Sequence, residues 1–146
     1  GYIISTNLEA MKQVVKIQYY ISACSNDAMQ YAVLEAMEQA NDYPSVMAAE
    51  FQQRCNLIVD RLNAMPGVQC HRPKGAIYVF PKVDVPGMNS EDIAMELLRD
   101  GVLCSPGSAF GPSGEGHLRF AYTISQADIA RGMDKVEATL KRLQQA

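Results

Sequence analysis

The amino-acid sequence predicts an α+β fold: a mainly antiparallel sheet with helices packed on one face, preceded by one strand and two helices. Two observations predict it. From residue 43 onward the apolar periodicity reads helix, strand, strand, helix, strand, strand, helix, and a sheet covered on one side by helices is the simplest way to bury the apolar face of each element. The chain is also long and apolar enough to have a core. Its 146 residues are 48% hydrophobic and 20% charged, as in globular domains, and a domain of this size buries about 70% of the surface that its unfolded form exposes.

Gly1-Tyr2-Ile3-Ile4-Ser5 is an apolar run of strand character. It has no initiator methionine and no polar lead-in, so the natural protein is expected to begin upstream of Gly1. Asn7 can cap a helix from about Leu8 to Ile21, in which Leu8, Met11, Val15 and Tyr19 recur at three- and four-residue steps. Asn26 or Asp27 can cap a second helix through about Gln39, with Met29, Val33 and Met37 on one face. Asn41-Asp42-Tyr43-Pro44 reads as a break.

Ser45 then stands as the cap of a long helix whose stripe is Met47, Phe51, Cys55, Ile58, Leu62 and Met65, stopped by Pro66-Gly67. Strands are expected at about 68–71 and 76–81, separated by Pro73-Lys74-Gly75. Asn89 or Ser90 caps a fourth helix, where Ile93, Leu97 and Leu98 point inward and Gly101 supplies the left-handed exit. Val102-Leu103-Cys104 is a short strand by composition. In His117-Leu118-Arg119-Phe120-Ala121-Tyr122, alternation sets Leu118, Phe120 and Tyr122 on the apolar face and Arg119 on the other. The last helix opens at Ser125-x-x-Asp128, a capping-box-like start, and its stripe is Ile129, Met133, Val136, Leu140 and Leu143.

Composition excludes several function classes. The formal charge is 13 minus 16, or -3, and the basic residues form no run of the kind that nucleic acid or anionic lipid attracts. Cys24, Cys55, Cys70 and Cys104 make no C-x-x-C pair, so the spacings of a zinc site are absent. Four buried, reduced thiols are expected. No apolar stretch approaches the roughly 20 residues that span a bilayer, and a cytoplasmic protein without a membrane partner is expected.

The segment Ser105 to Gly116 holds four glycines, yet it runs from strand to strand and has no Gly-Lys-Ser/Thr ending. Phosphate-cradling loops enter a helix, so this one reads as a turn. His71 and His117 have no second ligand or nucleophile at a useful spacing. Glu91-Asp92 sits in a helix's first turn, where carboxylates favour the dipole. Arg119 is the candidate that remains. A guanidinium pairs two N–H groups with both oxygens of a carboxylate, a geometry that lysine cannot reproduce. An arginine on a strand's polar face can equally be a solvated or ion-paired surface group.

The stretch Gly101 to Thr123, with Val102-Leu103-Cys104-Ser105-Pro106-Gly107-Ser108-Ala109-Phe110-Gly111 followed by Gly116-His117-Leu118-Arg119-Phe120-Ala121-Tyr122, resembles the C-terminal signature of class I/II aminotransferases of the aspartate-aminotransferase fold. The similarity extends over the whole chain. Pro73-Lys74-Gly75-Ala76-Ile77-Tyr78 looks like that family's glycine-containing strand beside the active site, and Arg54 to Leu62 sits where its long interdomain helix lies. Among members, the sequence looks most like the bacterial glutamate–pyruvate, or alanine, aminotransferases.

The resemblance implies a division into residues 1–42, the end of a large cofactor-binding domain, and residues 43–146, the small domain. It implies pyridoxal 5'-phosphate as cofactor, an amino acid and a 2-oxo acid as substrates, and a homodimer in which the stretch around Tyr19 to Asn26 approaches the neighbour's cofactor. It also implies that Arg119 binds the substrate α-carboxylate, with Gly75 and Ala76 as pocket neighbours. Ile77 stands where the family commonly has an aromatic residue, which leaves the substrate side chain open. The Schiff-base lysine, the phosphate-binding arginine and the aspartate at the pyridinium nitrogen are expected upstream of Gly1. Lys12, Lys16, Lys74, Lys82, Lys135 and Lys141 lack the Ser-x-Ser-Lys context, so the chain alone is expected to be inactive. The alternatives are a stand-alone α+β binding or regulatory module, a lyase using the same cofactor, and a transcription regulator with an aminotransferase-like domain.

Overall fold

The structure, a computed structural model, describes residues 1–39 and 42–145. The chain divides into two compact units, Gly1–Pro44 and Ser45–Ala146.

The first unit contains α1 (Leu8–Ser22) and α2 (Asp27–Gln39). Asn7 caps α1 as expected, its side chain accepting from the Ala10 amide at 3.0 Å, and Asn26 does the same for the Met29 amide at 3.1 Å. Neither helix has a buried residue, so the apolar stripe through Leu8, Val15 and Tyr19 lies exposed. Gly1–Ser5 forms no strand, contrary to its composition, because a strand exists only by pairing and no partner segment adjoins it among the described residues. Cys24 is exposed rather than buried, for the same lack of covering chain.

The long helix α3 runs Tyr43–Asn63 and so begins before Ser45, which lies inside its first turn rather than at its cap. Pro44 tolerates this position, since amides of a first turn have no intrahelical acceptor to lose. Of the break expected at Asn41-Asp42-Tyr43-Pro44, Asn41 lies outside the described residues, and Tyr43 and Pro44 are helical.

The second unit continues with β1 (Val68–Gln69), β2 (Tyr78–Val79), β3 (Lys82–Val83), α4 (Ser90–Arg99), β4 (Ser105–Pro106), two 3-10 turns (Gly107–Phe110 and Pro112–Gly114), β5 (Leu118–Ala121) and α5 (Gln126–Gln144). All strand pairs are antiparallel. Instead of the single sheet expected, β1 and β3 make a two-stranded sheet and β2, β5 and β4, in that order, a three-stranded one, with an isolated bridge between Lys82 and His117. The strands are shorter than the apolar runs suggested. Val102-Leu103-Cys104 joins no ladder, and pairing begins at Ser105. The Val102 amide instead donates to Leu97 O at 2.8 Å, closing the exit of α4 through Gly101 at φ +84°.

One core joins helices and sheet. Cys55, Ile58, Val59 and Leu62 of α3, Ile93 and Leu97 of α4, and Ile129, Met133, Val136 and Leu140 of α5 are buried with Val79, Val83, Leu118 and Phe120 of the strands. Leu98, expected inward, is 47% exposed because it falls off the α4 stripe that Ile93, Ala94 and Leu97 define. Since buried residues alternate with more exposed ones in β1, β2, β3 and β5, the helices cover one face of the strands.

Candidate functional site

β5 places Arg119 by two constraints. Its backbone is held from both sides, with Arg119 opposite Ser105 of β4 and Ala121 opposite Tyr78 of β2. Its neighbours Leu118 and Phe120 are buried at 0% and 4% exposure, so the strand cannot rotate without exposing them. Arg119 is thereby turned to the face away from the helices, as the alternation predicts.

There the guanidinium is half-buried. Its Nη2 donates to Ser105 Oγ at 3.1 Å, and its Cζ lies 4.6 Å from the Tyr78 ring centroid and 4.7 Å from that of Phe110. Among the described residues no carboxylate pairs with it. Other arginines of the unit do have carboxylate partners: Arg61 pairs with Asp134 and Glu137, and Arg142 with Glu96 and Asp100, joining helix to helix or bracing a helix end. A cation partly withdrawn from water beside two rings, with no carboxylate partner among the described residues, has the chemistry to pair with an anion.

Residue type alone does not single out Ser105, Tyr78 or Phe110. Their meeting depends on register and on the 3-10 turn at Gly107–Phe110. The only sequence signal was the parity of Tyr78 with Arg119 on paired strands, which needs the register to be read.

Gly75 and Ala76 lie on the approach to β2. A Cβ at Gly75 would meet nothing within 4 Å. Ala76 occupies the left-handed region at φ 64°, which costs a residue with a Cβ about 1–2 kcal/mol. Tyr122 compensates: its hydroxyl donates to Ala76 O at 2.8 Å and its amide to Ile77 O at 3.0 Å. Burial pushes the Tyr122 phenol above its ordinary pKa, so this donor keeps its proton.

The glycine-rich loop closes on itself. Gly107 and Gly114 pack backbone to backbone, so that a Cβ on either would collide with the other's carbonyl oxygen. Those glycines therefore serve a close crossing of the chain and leave no cradle for a phosphate. Glu115 pins the loop to α4. Its carboxylate accepts from the Ser90 amide at 2.7 Å, the Ser90 hydroxyl at 3.0 Å and the Gly116 amide at 2.9 Å, and the Ser108 amide donates to Ser90 Oγ at 3.3 Å. The bonds from the Ser90 and Gly116 amides hold the Glu115 carboxyl below the usual carboxylate range.

His117 stacks on Phe80 with ring centroids 5.1 Å apart and its Nδ1 lies 3.1 Å from Glu115 O. His71 has no part in this arrangement. No group of His, Cys, Asp or Glu that would hold a metal ion occurs among the described residues, and no described helix is long and apolar enough to cross a membrane. Among the described residues the four cysteines are unpaired thiols, and burial pushes those of Cys70 and Cys104 up to about 11.

No protein-family model matches the chain. Individual relatives do. It is 33% identical over 144 residues to an aspartate aminotransferase of Pyrococcus horikoshii, covering 97% of this chain and 37% of the relative. It is 34% identical over 134 residues to aromatic-amino-acid aminotransferase 2 of Thermococcus litoralis, covering 90% and 34%. The solved alanine aminotransferase of Pyrococcus furiosus superposes with a TM-score of 0.84 at 28% identity, over 94% of this chain and 36% of that one. The chain thus spans about a third of the length of the relatives it matches. By sequence and backbone together, the chain is the counterpart of the C-terminal part of longer aminotransferases, relatives whose fold family depends on pyridoxal phosphate.

Proposed function

We propose that this chain is the substrate-clamping part of an aminotransferase that moves an amino group between an amino acid and a 2-oxo acid, and that Arg119 holds the α-carboxylate of both. The observation that carries this reading is a half-buried guanidinium on a doubly paired strand, without a counter-anion among the described residues. Two parallel N–H···O bonds from such a group fix the orientation of the acid as well as its position. Alanine and glutamate are the donors we propose. The sequence resemblance and the likeness to an alanine aminotransferase support them.

The domain assignment belongs to the same proposal: residues 1–42 are the end of the large cofactor-binding domain, and residues 43–146 are the small domain. The exposed apolar side chains of the first unit, such as Tyr2 at 89% and Ile4 at 85% exposure, support a larger body there. Pyridoxal 5'-phosphate is the cofactor of this fold family, in which it accepts the amino group and withdraws electrons from the substrate. The described residues do not fit it as a site by themselves. The closed glycine loop offers no phosphate cradle, and none of the lysines has the sequence context of a Schiff-base residue. The chain alone therefore transfers no amino group. Gly75 and Ala76 border the substrate pocket, and the whole protein is a cytoplasmic homodimer.

The test is kinetic, in the full-length protein that carries this chain. Arg119→Lys and Arg119→Ala are expected to lower kcat/KM for amino acids by about 100-fold or more while the cofactor absorbance of the purified protein is kept. Unchanged steady-state kinetics in Arg119→Lys refute the role.

A further inference from the structure

The outer face of the sheet carries more than an arginine. Tyr78 lies opposite Ala121 and Val79 opposite Phe120, so position 80 falls opposite 119. Tyr78, Phe80 and Arg119 consequently rise from the same face, while Val79 and Phe120 enter the core. Residues diagonal to one another across a pair are about 7–8 Å apart, within reach of an aromatic ring or an arginine. The contact of the guanidinium with Tyr78 at 4.6 Å follows from that register. The Phe110 ring, at 4.7 Å, comes from the 3-10 turn and is braced edge-on by Phe80, with centroids 5.9 Å apart at 86°.

We propose that Tyr78 and Phe110 are positioning residues for carboxylate recognition: their rings hold the Arg119 fork in place before the acid arrives. The inference rests on the reading of Arg119 given above. An arginine on a bare strand has several rotatable bonds, and freezing them on binding opposes association. A ring beside the cation attracts it through the negative face of its π system and excludes water from that side. The N–H edges remain for the ligand, with Ser105 Oγ fixing Nη2 at 3.1 Å. The rings thus act on the one group that all α-amino acids share, and not on the pocket for the substrate side chain.

That distinction supplies the test. In the full-length holoenzyme, Tyr78→Leu and Phe110→Leu are each expected to lower kcat/KM by about 3- to 10-fold, chiefly through KM. The factor is expected to be the same for L-alanine and L-glutamate. Tyr78→Phe and Phe110→Tyr, which restore a ring, recover kcat/KM to within about twofold. Both positions are partly exposed, at 40% and 51%, so the leucine variants are expected to fold. Should Tyr78→Leu fail to fold, Phe110→Leu on its turn decides the matter. Leucine variants that match the wild type overturn the proposal, as does a loss confined to one donor, which would mark a side-chain pocket. Failure of the parent reading looks different: Arg119→Lys would then be kinetically silent whatever the rings do.

Discussion

At the scale of single residues, two side chains settle how the site is held. Arg119 takes its direction from its neighbours, since Leu118 and Phe120 must stay in the core and a strand alternates faces. Glu115 acts on the loop before it, where its carboxylate replaces water for two amides and a hydroxyl. Because the bonds from Ser90 form only with the folded chain and favour the anion, its pKa is lower folded than unfolded. The unfolded chain therefore binds the proton first as pH falls. The stability that Glu115 contributes is complete above the ordinary glutamate pKa of about 4.3 and disappears as pH drops through the lowered folded value. Glu115→Gln is expected to lower Tm at pH 7 and to leave it closer to wild type at pH 3, so that the two curves of Tm against pH converge on the acid side. Parallel curves would show that the carboxylate charge contributes nothing.

Among elements, the loop between β4 and β5 matters most, because it delivers Phe110 and then hands the chain to Arg119. Two devices fix it. The amides at the start of α4 are shared between Asn89, whose side chain accepts from the Asp92 amide at 2.8 Å, and Glu115, which takes the Ser90 amide from 25 residues away. The crossing of Gly107 over Gly114 then sets how far the loop can fold back. A Cβ at Gly107 would also stand 2.6 Å from His117 O, so backbone must move to admit it. Gly114→Ala is expected to destabilise the folded protein by about 1–3 kcal/mol, as overpacking does, measured by urea unfolding. The same variant in the full-length protein is expected to raise KM, since the shifted loop carries Phe110 away from the guanidinium. Wild-type stability in Gly114→Ala would mean that the loop adapts without strain.

For the molecule as a whole, the two units differ in what they bury. Ser45–Ala146 has a core drawn from three helices and the sheet, whereas α1 and α2 of Gly1–Pro44 have no buried residue. A helix of 15 residues with no apolar face covered has only its own hydrogen bonds to keep it, and those are marginal in water. Hydrogen exchange on this 146-residue chain is therefore expected to divide it. Amides of α1 and α2 exchange quickly, at rates near those of local helix fraying, while those of Ile58, Leu62, Val136 and Leu140 exchange only through global opening of their unit. Protection of α1 equal to that of α5 would show that the first unit is stabilised by contacts of its own.

Much of this was legible in the residues themselves. The helices at Leu8, Asp27, Ser90 and Gln126 begin where Asn7, Asn26, Asn89 and Ser125 offer a side-chain acceptor, because capping is a contact over three residues and needs no tertiary partner. The outward aim of Arg119 was legible for the same reason, alternation being local. Gly1–Ser5 and Val102–Cys104 have the composition of strands without being strands, because apolar, β-branched runs report that a segment wants burial, not that another segment lies alongside to pair with it. The companions of Arg119 were beyond the sequence for a related cause. Ser105, Tyr78 and Phe110 reach it from 14, 41 and 9 residues away, and only register between strands and the fold of a glycine turn decide which distant side chains share one face. Local chemistry is written in the order of residues; which of them meet is determined by how the chain closes on its core.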